Sequence, residues 1–290
     1  MLMGKEFDPF FAQIVRTLGP YLDDVLCIGG CANALYRFHD LASPMPWGYL
    51  GTKDVDVATP QHLTVKDGKS LAVLMAEAGL EEEQKGRGHQ AVIKYKPKDG
   101  DLAAELEFLC PLSGAKGQRE GSESPTVCVV QEGLHAQPLR YLEILFSRPW
   151  SVKIGKIPEF RELGGLQVHV PNPAAYVVQK ILIRDQRRAD LSKAKDCYYI
   201  YEISVVFRDA LDQISSEFEA LSPCLLAWKK RFQKEVSLLF ESQDAEGPIL
   251  AVRTYQDAGR QRTGTELPPT PEMVYRSVNK LLDAMKSSHP

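Results

Sequence analysis

The chain lacks the features by which several classes of protein declare themselves. No Cys-x-x-Cys pair occurs: the six cysteines, at 27, 31, 110, 128, 197 and 224, are scattered, and so are the six histidines. Local spacing therefore encodes no zinc site, and reduced, mostly buried thiols are expected. Cys27 and Cys31 can approach each other where a strand meets a helix, but zinc would need two further ligands. No apolar run is long enough to span a bilayer, and the opening residues Met1 to Asp8 hold no apolar signal core. A cytoplasmic protein with no membrane partner is expected. A large net charge is missing too. At −3, the balance makes no global electrostatic case for nucleic acid, although a local basic patch can still do that work. No internal repeat is visible.

What is present is the composition of a soluble globular protein: 290 residues, 44% hydrophobic and 25% charged. That length can bury one large core or two ordinary ones. Asp8-Pro9 predicts a helix start, with Phe7, Phe11, Ile14, Val15 and Leu18 on one face and Gly19-Pro20 ending it. A short buried strand, Val25 to Ile28, runs into Gly29-Gly30, and a helix over 31–38 starts directly on the glycines. Residues 40–51 are rich in proline and glycine and form a loop. A second strand follows over 53–58, a helix over 69–78, and a hairpin of strands over 91–95 and 104–109. Residues 113–125 read as a mobile loop. Further strands are expected at 127–130, 151–154 and 166–170, with a short helix near 139–146.

From Pro171 the pattern turns helical. Asn172-Pro173 caps a helix through about Arg184, another starts near Asp190, and two more are marked by Leu225, Trp228, Phe232, Val236 and Leu239 and by Val274 to Met285. Residues 255–270 are polar and read as a loop. The fold class is therefore α/β (α+β), with a mixed sheet in residues 1–170 and a helical domain in residues 171–290.

Three features carry chemistry. Gly29-Gly30 is either a tight strand-to-helix turn or a place where a phosphate meets bare backbone. Asp54 and Asp56 leave the same face of a strand, while Val55 and Val57 go to the other. Adjacent carboxylates repel unless a cation lies between them, and oxygen ligands of this kind suit Mg²⁺ or Mn²⁺. On a solvated strand face the same pair would be inert, but aspartate is a poor strand former. Glu107, in preference to Glu105, offers a third carboxylate between Leu106 and Phe108, and Glu105 is expected to face solvent. In the helix after Pro173, Lys180, Arg184, Arg187 and Arg188 would form one basic stripe if the helix continues. Lys180 is as readily a salt-bridged lysine, and Asp196 lies within reach of Arg188 or Lys193. The aromatics Trp47 and Tyr49 are expected to pack locally, as are Tyr198, Tyr199 and Tyr201.

Taken together, Gly29-Gly30, a helix, Asp54-Val55-Asp56 and a later apolar-Glu107-apolar strand resemble the signature of the DNA polymerase beta-type nucleotidyltransferase superfamily. The run Val168 to Pro173, then Gln179-Lys180-Ile181, Arg188 and Lys195-Asp196, is similar to bacterial nucleotidyltransferase-fold proteins related to AbiEii-like abortive-infection toxins. The resemblance implies Gly29, Gly30 and Cys31 at the triphosphate, Asp54, Asp56 and Glu107 as catalytic metal ligands, and Mg²⁺ or Mn²⁺ as cofactor. It further implies Lys180, Arg184 and Asp196 at the nucleotide, with the helical domain closing the cleft. Cys31 stands where many relatives have serine, Glu107 where aspartate is more usual, and residues 40–51 lengthen the interval before Asp54. The implied reaction transfers a nucleoside monophosphate from an NTP to an acceptor: RNA such as tRNA, a protein or a small molecule. The alternative is a catalytically silent nucleotide-binding protein acting as a toxin-like or regulatory partner.

Overall fold

Alternation of apolar and charged residues decides the architecture of the first half. The structure, a computed structural model, describes residues 7–45, 47–48, 50–52, 54–85, 92–98, 104–112, 127–184, 190–259 and 268–286. The chain divides into two compact units. One comprises Met1–Phe38, Gly51–Glu143 and Pro149–Val170, and the other His39–Leu50, Ile144–Arg148 and Pro171–Pro290.

The first unit holds a mixed sheet of seven strands. β1 (Leu26–Ile28), β2 (Asp54–Ala58), β3 (Leu80–Lys85), β4 (Val92–Pro97) and β5 (Glu105–Pro111) lie in the order β1-β2-β5-β4-β3; β7 (Leu134–Leu139) pairs with β5, and β6 (Cys128–Gln131) with β7. β5 runs parallel to β2 and β7 and antiparallel to β4. A separate hairpin joins β8 (Trp150–Lys153) to β9 (Gln167–Val170). Along β5, Leu106, Phe108 and Cys110 are buried while Glu105 and Glu107 keep a small exposure. Along β2, Val55 and Val57 are fully buried and Asp54 and Asp56 half-exposed. Tyr95 of β4 meets Phe108 edge-on, with ring centroids 5.4 Å apart, so the apolar face is locked beneath the charged one.

Helix α1 (Phe7–Thr17) buries Phe10, Phe11, Ile14 and Val15, and Phe11 rests on Phe160. α2 (Gly29–Leu35) starts on the first glycine, two residues earlier than the apolar pattern indicates, because Ile28 is still extended while Gly29 has already turned. α3 (Leu71–Glu77) is capped by Ser70, whose side chain accepts from the Val73 N–H.

The second unit is helical: α4 (Pro173–Leu182), α5 (Asp190–Val206), α6 (Leu211–Leu225), α7 (Lys229–Phe240), α8 (Glu246–Gly259) and α9 (Pro271–Lys286). Asn172 caps α4 with its Oδ1 on the Ala175 N–H at 2.8 Å, and its Nδ2 donates to the Ser147 carbonyl at 2.7 Å. All ten residues of α4 are buried. Tyr198, Tyr199 and Tyr201 of α5 are buried as expected. The Pro- and Gly-rich insertion joins this unit: the Ser43 N–H donates to the Val206 carbonyl, and Trp47 stacks on Tyr201 with centroids 6.0 Å apart. Four of the cysteines are buried, and all six are free thiols. No helix among the described residues is long and apolar enough to cross a membrane.

The structure adds to the sequence reading and corrects it. β3, β7, α6 and α8 were not foreseen, and residues 255–259, read as loop, are the last turn of α8. Tyr49, Lys53, Arg187, Arg188 and residues 113–125 lie outside the described residues.

Phe108→Ala, by opening a cavity directly under the charged face, is expected to cost about 3–5 kcal/mol of stability, read from the midpoint of chemical denaturation.

Candidate active site

Gly29 closes β1 and opens α2 with φ +60°, a conformation glycine enters without steric cost. The antiparallel pairing of β1 with β2 puts Ile28 opposite Asp56, which brings the aspartate carboxylate against the glycine. A Cβ at position 29 would stand 2.1 Å from Asp56 Oδ2. Glycine is thus required here twice, once by the backbone and once by the carboxylate.

Cys31 is fully buried, and its thiol donates to the Asp54 carbonyl at 3.4 Å. Thr52 Oγ1 donates to the same carbonyl at 3.1 Å. Burial first, then the neighbouring Cys27 thiol and the Asp56 carboxylate, push the Cys31 thiol well above its ordinary pKa. It stays protonated and ties α2 to β2. The Cys31 side chain therefore faces strand backbone.

The parallel register pairs Asp54 with Glu105 and Asp56 with Glu107. Opposed residues share a face, so four carboxylates stand together on one side of the sheet. The Tyr95–Leu106 pairing of β4 with β5 turns Lys94 and Lys96 to that side as well. Lys94 hydrogen-bonds Glu105 and forms ion pairs with both Glu105 and Glu107. Lys96 bridges Glu105 at 3.0 Å and Glu83 at 2.8 Å. Burial of Lys94 disfavours its charge, but the bonds to Glu105 and Glu107 outweigh this and raise its pKa above the ordinary lysine value. Glu105, expected in solvent, is instead held by two ammonium groups. No group of three or more His, Cys, Asp or Glu side chains among the described residues is disposed to hold a metal ion.

The second unit keeps its own pair. Lys180 Nζ lies 2.8 Å from Asp196 Oδ1, with side-chain exposures of 5% and 7%. The ammonium also sits over the rings of Tyr176 and Tyr199, at 5.3 and 5.5 Å from their centroids. Arg184 pairs with Glu246. α4 ends at Leu182, so it does not carry on through Arg184, and Lys180 is turned into the interior; Arg187 and Arg188 of the expected basic stripe lie outside the described residues. Asp196 takes Lys180 as a partner, and Lys193 pairs with Asp190; Arg188 lies outside the described residues.

A family model described as Nucleotidyltransferase matches residues 11–220. The chain belongs to this nucleotidyltransferase family. No curated protein matches it. Among solved structures, an antigenic nucleotidyltransferase-like protein from Paracoccidioides brasiliensis shares 15% identity over 81% of this chain and 94% of that one, with a TM-score of 0.39. So loose a likeness carries no argument.

In this chain, Lys94 and Lys96 are the charged groups that motif reading passed over. Their signal was present: Ile93-Lys94-Tyr95-Lys96 alternates in the same period as Glu105-Leu106-Glu107 across a hairpin.

Two substitutions probe this geometry. Gly29→Ala and Gly79→Ala both force alanine to positive φ, but position 79 has nothing within 4 Å. Each is expected to lose about 1–3 kcal/mol through backbone strain, with position 29 losing more because Asp56 must move; thermal denaturation compares them. Lys180→Met strands a buried carboxylate and is expected to cost about 3–5 kcal/mol, whereas Lys180→Met with Asp196→Leu recovers most of it.

Proposed function

We propose that the protein transfers a nucleoside monophosphate from an NTP to an acceptor hydroxyl with release of pyrophosphate. The observation that carries this reading is the register that sets Asp54 and Asp56 on one sheet face, against the Gly29 turn and opposite Glu105 and Glu107. Membership of the nucleotidyltransferase family supports it.

The donor set bears on the metal that such a reaction implies. Two half-buried aspartates on one face are hard oxygen ligands, and Asp54 and Asp56 fit Mg²⁺ or Mn²⁺. Glu107, engaged by Lys94, does not fit as a ready third ligand. A bound divalent cation would offset triphosphate charge and favour departure of pyrophosphate. Around it, the side-chain-free Gly29-Gly30 turn lets a phosphate approach the backbone. Cys31 holds α2 against β2, so its proposed part in nucleotide binding is positional. Glu107 accepts the proton of the acceptor hydroxyl as that oxygen bonds to the α-phosphorus and the bond to pyrophosphate breaks. The part assigned to Lys180, Arg184 and Asp196 in nucleotide binding rests on the order of the motifs, as does the narrower kinship with abortive-infection toxins. The acceptor class is open among RNA, protein and small molecule.

One observation favours the second reading, a nucleotide-binding protein without turnover: Lys94 already neutralises Glu107. Labelled NTPs offered with each acceptor class separate the two, since binding without transfer selects the second.

Where transfer occurs, Asp56→Asn is expected to abolish it, and Glu107→Gln to lower the single-turnover rate by about 10²–10⁴-fold with NTP affinity retained. An Asp56→Asn protein as active as the native one would remove the assignment.

A further inference from the structure

We infer that the exposed face of α7 binds the phosphate backbone of RNA, which makes RNA the acceptor in the transfer reaction. The inference rests on the reading of the chain as a transferase and narrows its acceptor class. From Ala220 to Lys234 the sequence carries four cations, Lys229, Lys230, Arg231 and Lys234, and no aspartate or glutamate. The whole chain is acidic, at −3, so the positive charge here is a local feature. Within α7, Phe232, Val236 and Leu239 turn inward, with Phe232 against Phe218, while Lys229, Lys230 and Lys234 share the opposite, exposed face. Glu235, the next acid along the chain, is buried.

Two observations set these lysines apart from an ordinary charged surface. Lys69, Lys98, Lys193 and Lys286 each meet an aspartate or glutamate, whereas Lys229, Lys230 and Lys234 form no ion pair among the described residues. Arg231 already has a contact of its own, so three ammonium groups remain. The first turn of α7 also holds no acid, and cations placed there oppose the helix dipole. The patch therefore costs the helix stability that no partner among the described residues returns, which points to an anion supplied from outside. Of the acceptor classes open to the reaction, RNA is the one with a negative charge on every residue. A lipid surface would need a row of apolar side chains to sink into it. Those of α7 are spent on the core, and the exposed Leu226 and Leu238 stand singly at either end of the basic stretch.

Fluorescence anisotropy of a labelled single-stranded RNA, titrated with the full chain over a series of salt concentrations, tests this without any activity measurement. The native protein is expected to bind with log K falling as log salt rises, and Lys229→Gln with Lys230→Gln and Lys234→Gln is expected to flatten that slope by about 2. Lys229→Arg with Lys230→Arg and Lys234→Arg keeps the charge and should keep the slope. Lys69→Gln with Lys98→Gln and Lys153→Gln removes as much charge from exposed positions of the first unit and should leave binding unchanged. Circular dichroism confirms folding, and Lys230→Gln with Lys234→Gln replaces the triple variant should the latter fail to fold. The inference is overturned if the native protein binds no RNA, if both neutral triples flatten the slope alike, or if the α7 lysines bind phosphatidylserine vesicles and not RNA. RNA binding that needs the α7 lysines, without transfer to any acceptor, instead overturns the transferase reading and leaves the α7 site standing, so the two failures are told apart.

Discussion

Like charges held in register are the constraint on which the first unit depends. β2 and β5 pair in a register that sets Val55, Val57, Leu106 and Phe108 on one side of the sheet, and the same alternation drives four carboxylates together on the other. Two unit charges about 5 Å apart repel by about 3 kcal/mol at an effective dielectric of 20, so the burial of one face and the strain of the other come from one pattern. β4 relieves that strain. Its own alternation buries Ile93 and Tyr95 and delivers Lys94 and Lys96. The charged face is therefore a built feature of three strands, and the Gly29 turn is fitted to it at the β1 end.

The parts of this arrangement legible in sequence were those written in local pattern. Gly29-Gly30 marked a turn, Asp54 and Asp56 shared a strand face, and Glu107 sat between apolar neighbours; each needs only a period of two or a missing side chain to be seen. The mixed sheet followed by helices was legible for the same reason. β3 was not, because Leu80-Glu81-Glu82-Glu83-Gln84-Lys85 has a poor intrinsic strand preference and becomes a strand through pairing with β4, where Glu81 meets Lys98 at 3.1 Å and Glu83 meets Lys96. Lys94 escaped notice because its meaning depends on which strand lies beside it, and strand order is not a local property.

The second unit shows a different limit. Lys180 was singled out within an apolar helix, and its spacing to Arg184 suggested a charged stripe. The helix stops at Leu182, however, and the lysine is enclosed by Asp196, Tyr176 and Tyr199. Spacing on a helix names the face a residue shares, but the neighbours that cover that face come from elsewhere in the chain. A buried pair of this kind adds little net stability over an apolar pair of similar shape, although either partner alone would be costly. Its worth here is directional: it settles the position of one ammonium group within a core of tyrosines.

The acidic strand β3 has one more effect. It forms an outer edge of the sheet order among the described residues, and an edge offers backbone donors and acceptors to any strand that comes alongside. Glu81 and Glu83 point to one face and Glu82 to the other, where it accepts from Tyr95 and meets His135. A second molecule aligning the same edge would set glutamate against glutamate on both faces at once. The charge that made this strand hard to foresee thus protects the sheet from growing sideways into an aggregate.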